Sequence, residues 1–115
     1  MADVNQSLQA AMSLDGAVGA ALVDWQSGMT ICTAGGGPNL NLDGAAAGNS
    51  EVMSAKLEVM QNLGLEDILI MLTTQYHLSR LLERDQGLFL VVTKEQSNLA
   101  MARYRLTSIE RSLTV

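Results

Sequence analysis

Aromatic residues are scarce in this chain: one Trp, one Phe and two Tyr among 115 residues, although 48% of the residues are hydrophobic. Its core must therefore be built from Leu, Val, Ile, Met and Ala. There is one cysteine, Cys32, so no disulfide framework can form, and a reducing compartment fits. One histidine, His77, leaves little material for acid–base chemistry, an activated nucleophile or a metal site, which needs several ligands. Basic residues number seven against twelve acidic ones, and the net charge of −5 disfavours nucleic acid, whose binding rests on neutralised phosphates. No apolar run approaches the roughly 20 residues that span a bilayer. The start, MADVNQSLQAAM, has neither the basic residues nor the apolar stretch of a signal peptide. The expectation is a cytoplasmic protein without membrane insertion, metal or cofactor.

The residues present divide into regular segments. Asp3 can cap a short helix with Val4, Leu8, Ala11 and Met12 on one side. AVGAALVDW (17–25) reads as a small, apolar strand, WQSG as a turn, and MTICTA (29–34) as its alternating hairpin partner. GGGPNLNLDG reads as an irregular connector, with three glycines and the sole proline. A second helix, capped by Asp43 or Asn49, runs to about Asn62 before Gly64, and GAAAG (44–48) reads either as small residues spaced for close helix approach or as its frayed start. EDILIMLTT (66–74) is an almost continuous apolar strand. YHLSRLLE (76–83) and LFLVVTK (88–94) follow it across short turns. Ser97 is placed to cap a last helix whose Leu99, Ala102, Leu106, Ile109 and Leu113 form a narrow seam. The fold class is α+β: a single domain, 1–115, in the order α-β-β-α-β-β-β-α, with a five-stranded, mainly antiparallel sheet and helices on both faces.

Two of these segments carry more apolar surface than one chain of this kind covers. On a helical wheel Ala55, Val59, Val52, Leu63, Met60, Met53 and Leu57 occupy roughly 200°, about twice the stripe that a surface helix needs. The third strand lacks a polar face, and an exposed apolar edge invites pairing with another chain. A second copy about a two-fold axis satisfies both, with third strands paired and middle helices side by side. Asn49 and Lys56 fall inside the apolar arc. A helix that packs under the 35–42 connector is the plainer alternative.

The order of elements, with GAVGAALVDWQSG, the stretch from LEDILIM to MARYRL, and SNLAMAR (97–103) at the start of the last helix, resembles the roadblock/dynein light-chain family over roughly residues 8–113. The first helix is shorter than in many members, and glycines 35–37 are unusual. The resemblance implies a homodimer, or a heterodimer of relatives, joined through the third strand and the middle helix. Met53, Lys56, Leu57 and Met60 would supply the helical part of the interface, and Ile68, Ile70 and Leu72 the strand part. Members are not ordinary enzymes. Some bind motor complexes, and prokaryotic ones often work beside small Ras-like GTPases, in some cases binding them on the paired helices and promoting hydrolysis. The strip Ser50, Ser54, Glu58 and Gln61 would then be the docking surface. The resemblance implies a non-enzymatic dimeric regulator of a Ras-like GTPase. The alternative is an assembly subunit that bridges larger proteins without any GTPase.

Other readings are weaker on the residues. GGGP (35–38) lacks the following lysine of a phosphate-binding loop, since none occurs before Lys56. A Cys32–His77 pair is left open by the sequence, but nothing in the spacing favours it. Arg80, Arg84, Arg103, Arg105 and Arg111 read as ordinary surface charges, none marked as an arginine finger. An enzyme or small-ligand sensor would need a ligand pocket between helix and sheet, of which the sequence gives no sign.

Overall fold

The structure, a computed structural model, describes residues 4–36, 41–60, 66–82 and 86–113, with the backbone alone at 54, 56–60 and 112–113. The elements are α1 (Val4–Met12), β1 (Ala17–Asp24), β2 (Thr30–Gly35), α2 (Leu42–Met60), β3 (Asp67–Met71), β4 (Gln75–Leu81), β5 (Gln86–Thr93) and α3 (Leu99–Leu113). The expected order is observed. The strands form one sheet in the order β2-β1-β5-β4-β3, and every neighbouring pair is antiparallel.

Local chemistry sets most of the connections. Asp24 ends β1 by accepting the amide of Gln26 at 2.9 Å, while the Gly28 amide bonds to the Asp24 carbonyl at 2.8 Å. Gly28 takes a φ of 77°, which costs a residue without Cβ nothing. β3 is shorter than the 66–74 run because the Leu72 amide bonds to the Gln75 carbonyl at 2.9 Å and closes the turn into β4. Gly35 belongs to the sheet and not to a loose connector. It is the last residue of β2, opposite Gly19, and a Cβ there would collide with Met12 and the Val18 carbonyl.

The starts of α2 and α3 differ from expectation, while the expected α1 cap, Asp3, lies outside the described residues. α2 begins at Leu42 because Asn41 caps it, its Oδ1 accepting the Gly44 amide at 2.9 Å. Neither Asp43 nor Asn49 is the cap, and GAAAG lies within the helix. Asp43 instead sits in the first turn and accepts the Thr30 hydroxyl at 2.7 Å, tying α2 to β2. α3 is capped by Asn98, whose Oδ1 accepts the Met101 amide at 3.2 Å, and not by Ser97, which donates its amide to the Thr93 carbonyl. An Asx side chain one residue later competes successfully for the same role.

Each face of the sheet has its own core. On one, α1 and α3 cover Leu22, Leu78, Leu88, Leu90 and Val92 with Leu8, Ala11, Ala102, Leu106 and Ile109. On the other, α2 places Leu42, Ala46 and Met53 over Ala21, Val23, Trp25, Phe89 and Val91. Helices thus cover both faces, as expected. Arg105 joins α1 to α3, its Nη1 donating to the Ala10 carbonyl at 2.8 Å and the Ser13 hydroxyl at 3.1 Å. A cation at the last carbonyls of α1 meets the negative end of the helix dipole.

Candidate functional site

β3 is an edge strand, hydrogen-bonded on one side only, to β4. Ile68 and Leu69 are half-buried and pack towards opposite cores, as a strand without a polar face requires. Past them Met71 is 63% exposed and Leu72 41%. The first residue of β3 is held firmly. The Asp67 carboxylate accepts Arg103 from α3 at 3.0 Å and Arg80 from β4 at 3.4 Å, and Arg80 donates to Glu110 at 2.8 Å. Asp67 and Arg80 are largely buried, where such pairs are little screened.

α2 packs on β1 and β2, at the other end of the sheet. One flank of it faces the β1–β2 turn: Asp43 bonds to Thr30, Gly28 approaches Ala47, and a groove is lined by Trp25, Gln26, Ser27, Gly28, Ala47, Ser50, Glu51 and Ala55. The opposite flank, three to four residues apart along the helix, carries Ala45, Asn49 and Val52. There Val52 is 39% exposed. Asn49 is buried and donates to the Ala45 carbonyl at 3.0 Å, while its Oδ1 has no partner among the described residues.

The expected site residues separate accordingly. Met53 is 0% exposed within the single chain, inside the α2 core, so it cannot offer surface to a partner. The sequence places it in the apolar arc but does not say which part of that arc the chain's own sheet takes. Ser50 is not solvent-facing either. It is buried beside the β1–β2 turn, and its hydroxyl donates to the Ala46 carbonyl at 2.8 Å. Ile68 and Ile70 are half-buried on β3, and Leu72 is exposed just beyond it. Lys56, Leu57, Met60, Ser54 and Glu58 lie on α2, but their side chains are outside the described residues, as is Gln61 altogether. Val52's position on the open flank and the Asp67 network were not legible in the sequence. Alternation alone does not show that Asp67 meets two arginines from different elements.

Cys32 packs against the α1–α3 core, whereas His77 meets Phe89, of the α2 core, edge to face at 5.5 Å. The sheet separates them, so they form no Cys–His pair. The protonated Nε2 of the His77 ring donates to Gln75 Oε1 at 3.1 Å, and burial lowers its pKa below the ordinary 6.5. Among the described residues no group of His, Cys, Asp and Glu could hold a metal ion, and no helix is long and apolar enough to cross a membrane.

Comparison of the whole chain with solved structures identifies the architecture. It superposes on a Roadblock/LC7 domain from Streptomyces avermitilis with a TM-score of 0.82 at 15% identity, over 97% of this chain and 95% of the other. The chain has the roadblock fold. Similar overlap is found with MglB of Myxococcus xanthus (TM-score 0.76, 17% identity, 95% and 86% covered) and with the gliding protein MglB of Thermus thermophilus (0.81, 16%, 95% and 84%). No family sequence model matches the chain, and no curated protein matches it by sequence. At these identities the likeness concerns the fold. Among the described residues, β3 and the open flank of α2 leave apolar side chains exposed, as do Met29 and Ile31 at the other edge of the sheet and Met101 and Tyr104 on α3.

Proposed function

We propose that this chain is a non-enzymatic homodimeric regulator that docks a small Ras-like GTPase on paired α2 helices and alters its nucleotide cycle. The observation that carries the reading is the edge position of β3, with Met71 and Leu72 exposed beyond Ile68 and Ile70. Pairing β3 with its copy satisfies the unpaired strand edge and covers these side chains. It also brings the open flanks of two α2 helices towards each other across the joint sheet. Val52 then meets the partner, while Glu51 and Ala55, on the outer side, remain available for docking. Lys56, Leu57 and Met60 are proposed for the contact between copies, and Ser54, Glu58 and Gln61 for the docking strip.

The GTPase half of the reading rests on the roadblock resemblance, since prokaryotic members often work beside such enzymes. A regulator of this kind acts without a catalytic centre of its own, by positioning the switch loops of the bound GTPase. The test is sedimentation at micromolar concentration, followed by single-turnover GTP hydrolysis and nucleotide exchange by GTPases from the same genome. A dimer that changes either rate supports the proposal. A dimer that captures other proteins but leaves every GTPase unaffected identifies an assembly subunit. A folded monomer removes the platform and with it the proposal.

A further inference from the structure

The face of the sheet opposite α2 has a feature that neither core packing nor the dimer uses. Between α1 and α3 runs an open groove of about 460 Å³, lined by Gln6, Ser7, Ala10, Tyr104, Arg105, Ser108 and Ile109. Tyr104 is 66% exposed at its rim, and Met101, one turn earlier on α3, is 49% exposed. No carboxylate lines this groove. α1 carries no charge at all, and α3 carries three arginines against one glutamate, whereas α2 holds three acidic residues and one lysine. On a chain of net charge −5, the α1–α3 layer is the basic side.

Arg105 gives this asymmetry a geometry. Its Nη1 is fixed by the Ala10 carbonyl and the Ser13 hydroxyl, which holds the guanidinium in place without neutralising it. Among the described residues its Nε and Nη2 make no hydrogen bond. These two N–H groups lie along one edge of the planar fork, the edge that grips a carboxylate through two parallel bonds. Arg80 and Arg103 differ, because Arg80 is already committed to Asp67 and Glu110 and Arg103 to Asp67. A half-buried arginine with one nitrogen anchored and the other edge unused is pre-organised, so little side-chain freedom is lost when a carboxylate arrives.

We propose that the α1–α3 groove is a second docking site, for an acidic peptide segment whose carboxylate takes the Nε–Nη2 edge of Arg105 while a neighbouring apolar residue packs on Tyr104 and Met101. The site lies on the far side of the sheet from α2, so it remains accessible in the β3-paired dimer and does not depend on what α2 binds. Two such grooves on a dimer would let it hold an acidic partner while a second protein occupies the paired α2 helices.

The test is an NMR titration of the full chain with an acetylated, amidated pentapeptide alternating glutamate and leucine, against the same peptide with glutamine for glutamate. The Arg105 Nε–H and Tyr104 ring signals are followed, with Val52 as a reference on the other face. Saturable shifts at Arg105 and Tyr104 with the glutamate peptide, at least about tenfold tighter than with the glutamine peptide, support the site. Arg105→Lys keeps the charge but loses the fork, and it should weaken binding about tenfold. Tyr104→Ala, at an exposed position, provides the second variant should Arg105→Lys loosen α1, and it too should weaken binding. Equal binding of both peptides, shifts confined to α2, or none at millimolar peptide would overturn the proposal.

Discussion

The indole of Trp25 occupies the space that a Cβ on Gly87 would need, so the start of β5 must be bare for the end of β1 to seat its tryptophan. Trp25 is almost fully buried and sits in the α2 core with Met53 and Phe89. The absence of one side chain therefore positions the anchor beneath α2. Gly87→Ala should push the ring outwards and lower stability by about 1–3 kcal/mol, the usual range for overpacking. Because Trp25 is the sole tryptophan, its emission reports the event directly. A red shift together with a lower urea midpoint is expected, and an unchanged spectrum at wild-type stability would refute the account.

Asp67 binds two arginines, from β4 and α3, at the first residue of the edge strand. Asp67→Asn keeps the shape but removes the charge, and it leaves Arg80 paired only with Glu110. A loss of about 1–3 kcal/mol is expected, below that of a fully buried pair because Arg103 is half-exposed. Hydrogen exchange should quicken at β3 more than at β1. Uniform acceleration across the sheet would mean that the network does not specifically hold the edge.

His77 supplies a pH dependence. Burial lowers its folded pKa below 6.5, so the unfolded chain takes up the proton first. Its contribution to stability is complete above about pH 6.5, falls as pH drops through the unfolded value, and stops falling below the folded one. The slope in that window is at most about 1.4 kcal/mol per pH unit. Urea melts of the wild type between pH 8 and 5 should show the decline, and His77→Phe should flatten it. A wild-type curve as flat as the variant's would mean that His77 is not held neutral by burial.

Neighbouring positions on α2 should behave differently. Met53→Ala opens a cavity in the α2 core and should cost about 2–5 kcal/mol of folding stability. Val52→Glu puts a charge on the open flank, where the single chain leaves it in water, so folding should survive while self-association weakens by tenfold or more. Sedimentation with parallel thermal melts separates these outcomes. A Val52→Glu dimer as tight as the wild type would move the contact elsewhere.

Much of this could be read from the chain itself. Hydrophobic periodicity and turn residues determined the number, order and type of the elements, because a strand or helix must bury one face whatever its neighbours are. The two-sided apolar character of the 66–74 run likewise marked β3 as unusual. Helix starts were less legible, since Asp43, Asn49 and Ser97 are acceptable caps, and only backbone geometry selects Asn41 and Asn98 over them.

Tertiary structure alone decided which residues of the wide α2 arc belong to the chain's own core. Met53 turns inwards and Val52 outwards because α2 lies over β1 and β2, a placement that strand order sets and no single segment encodes. It likewise separated Cys32 from His77 and, among the described residues, left one edge of Arg105 without a hydrogen bond. Local sequence specifies a side chain's direction relative to its own element. What that side chain meets depends on how elements distant in the chain pack together.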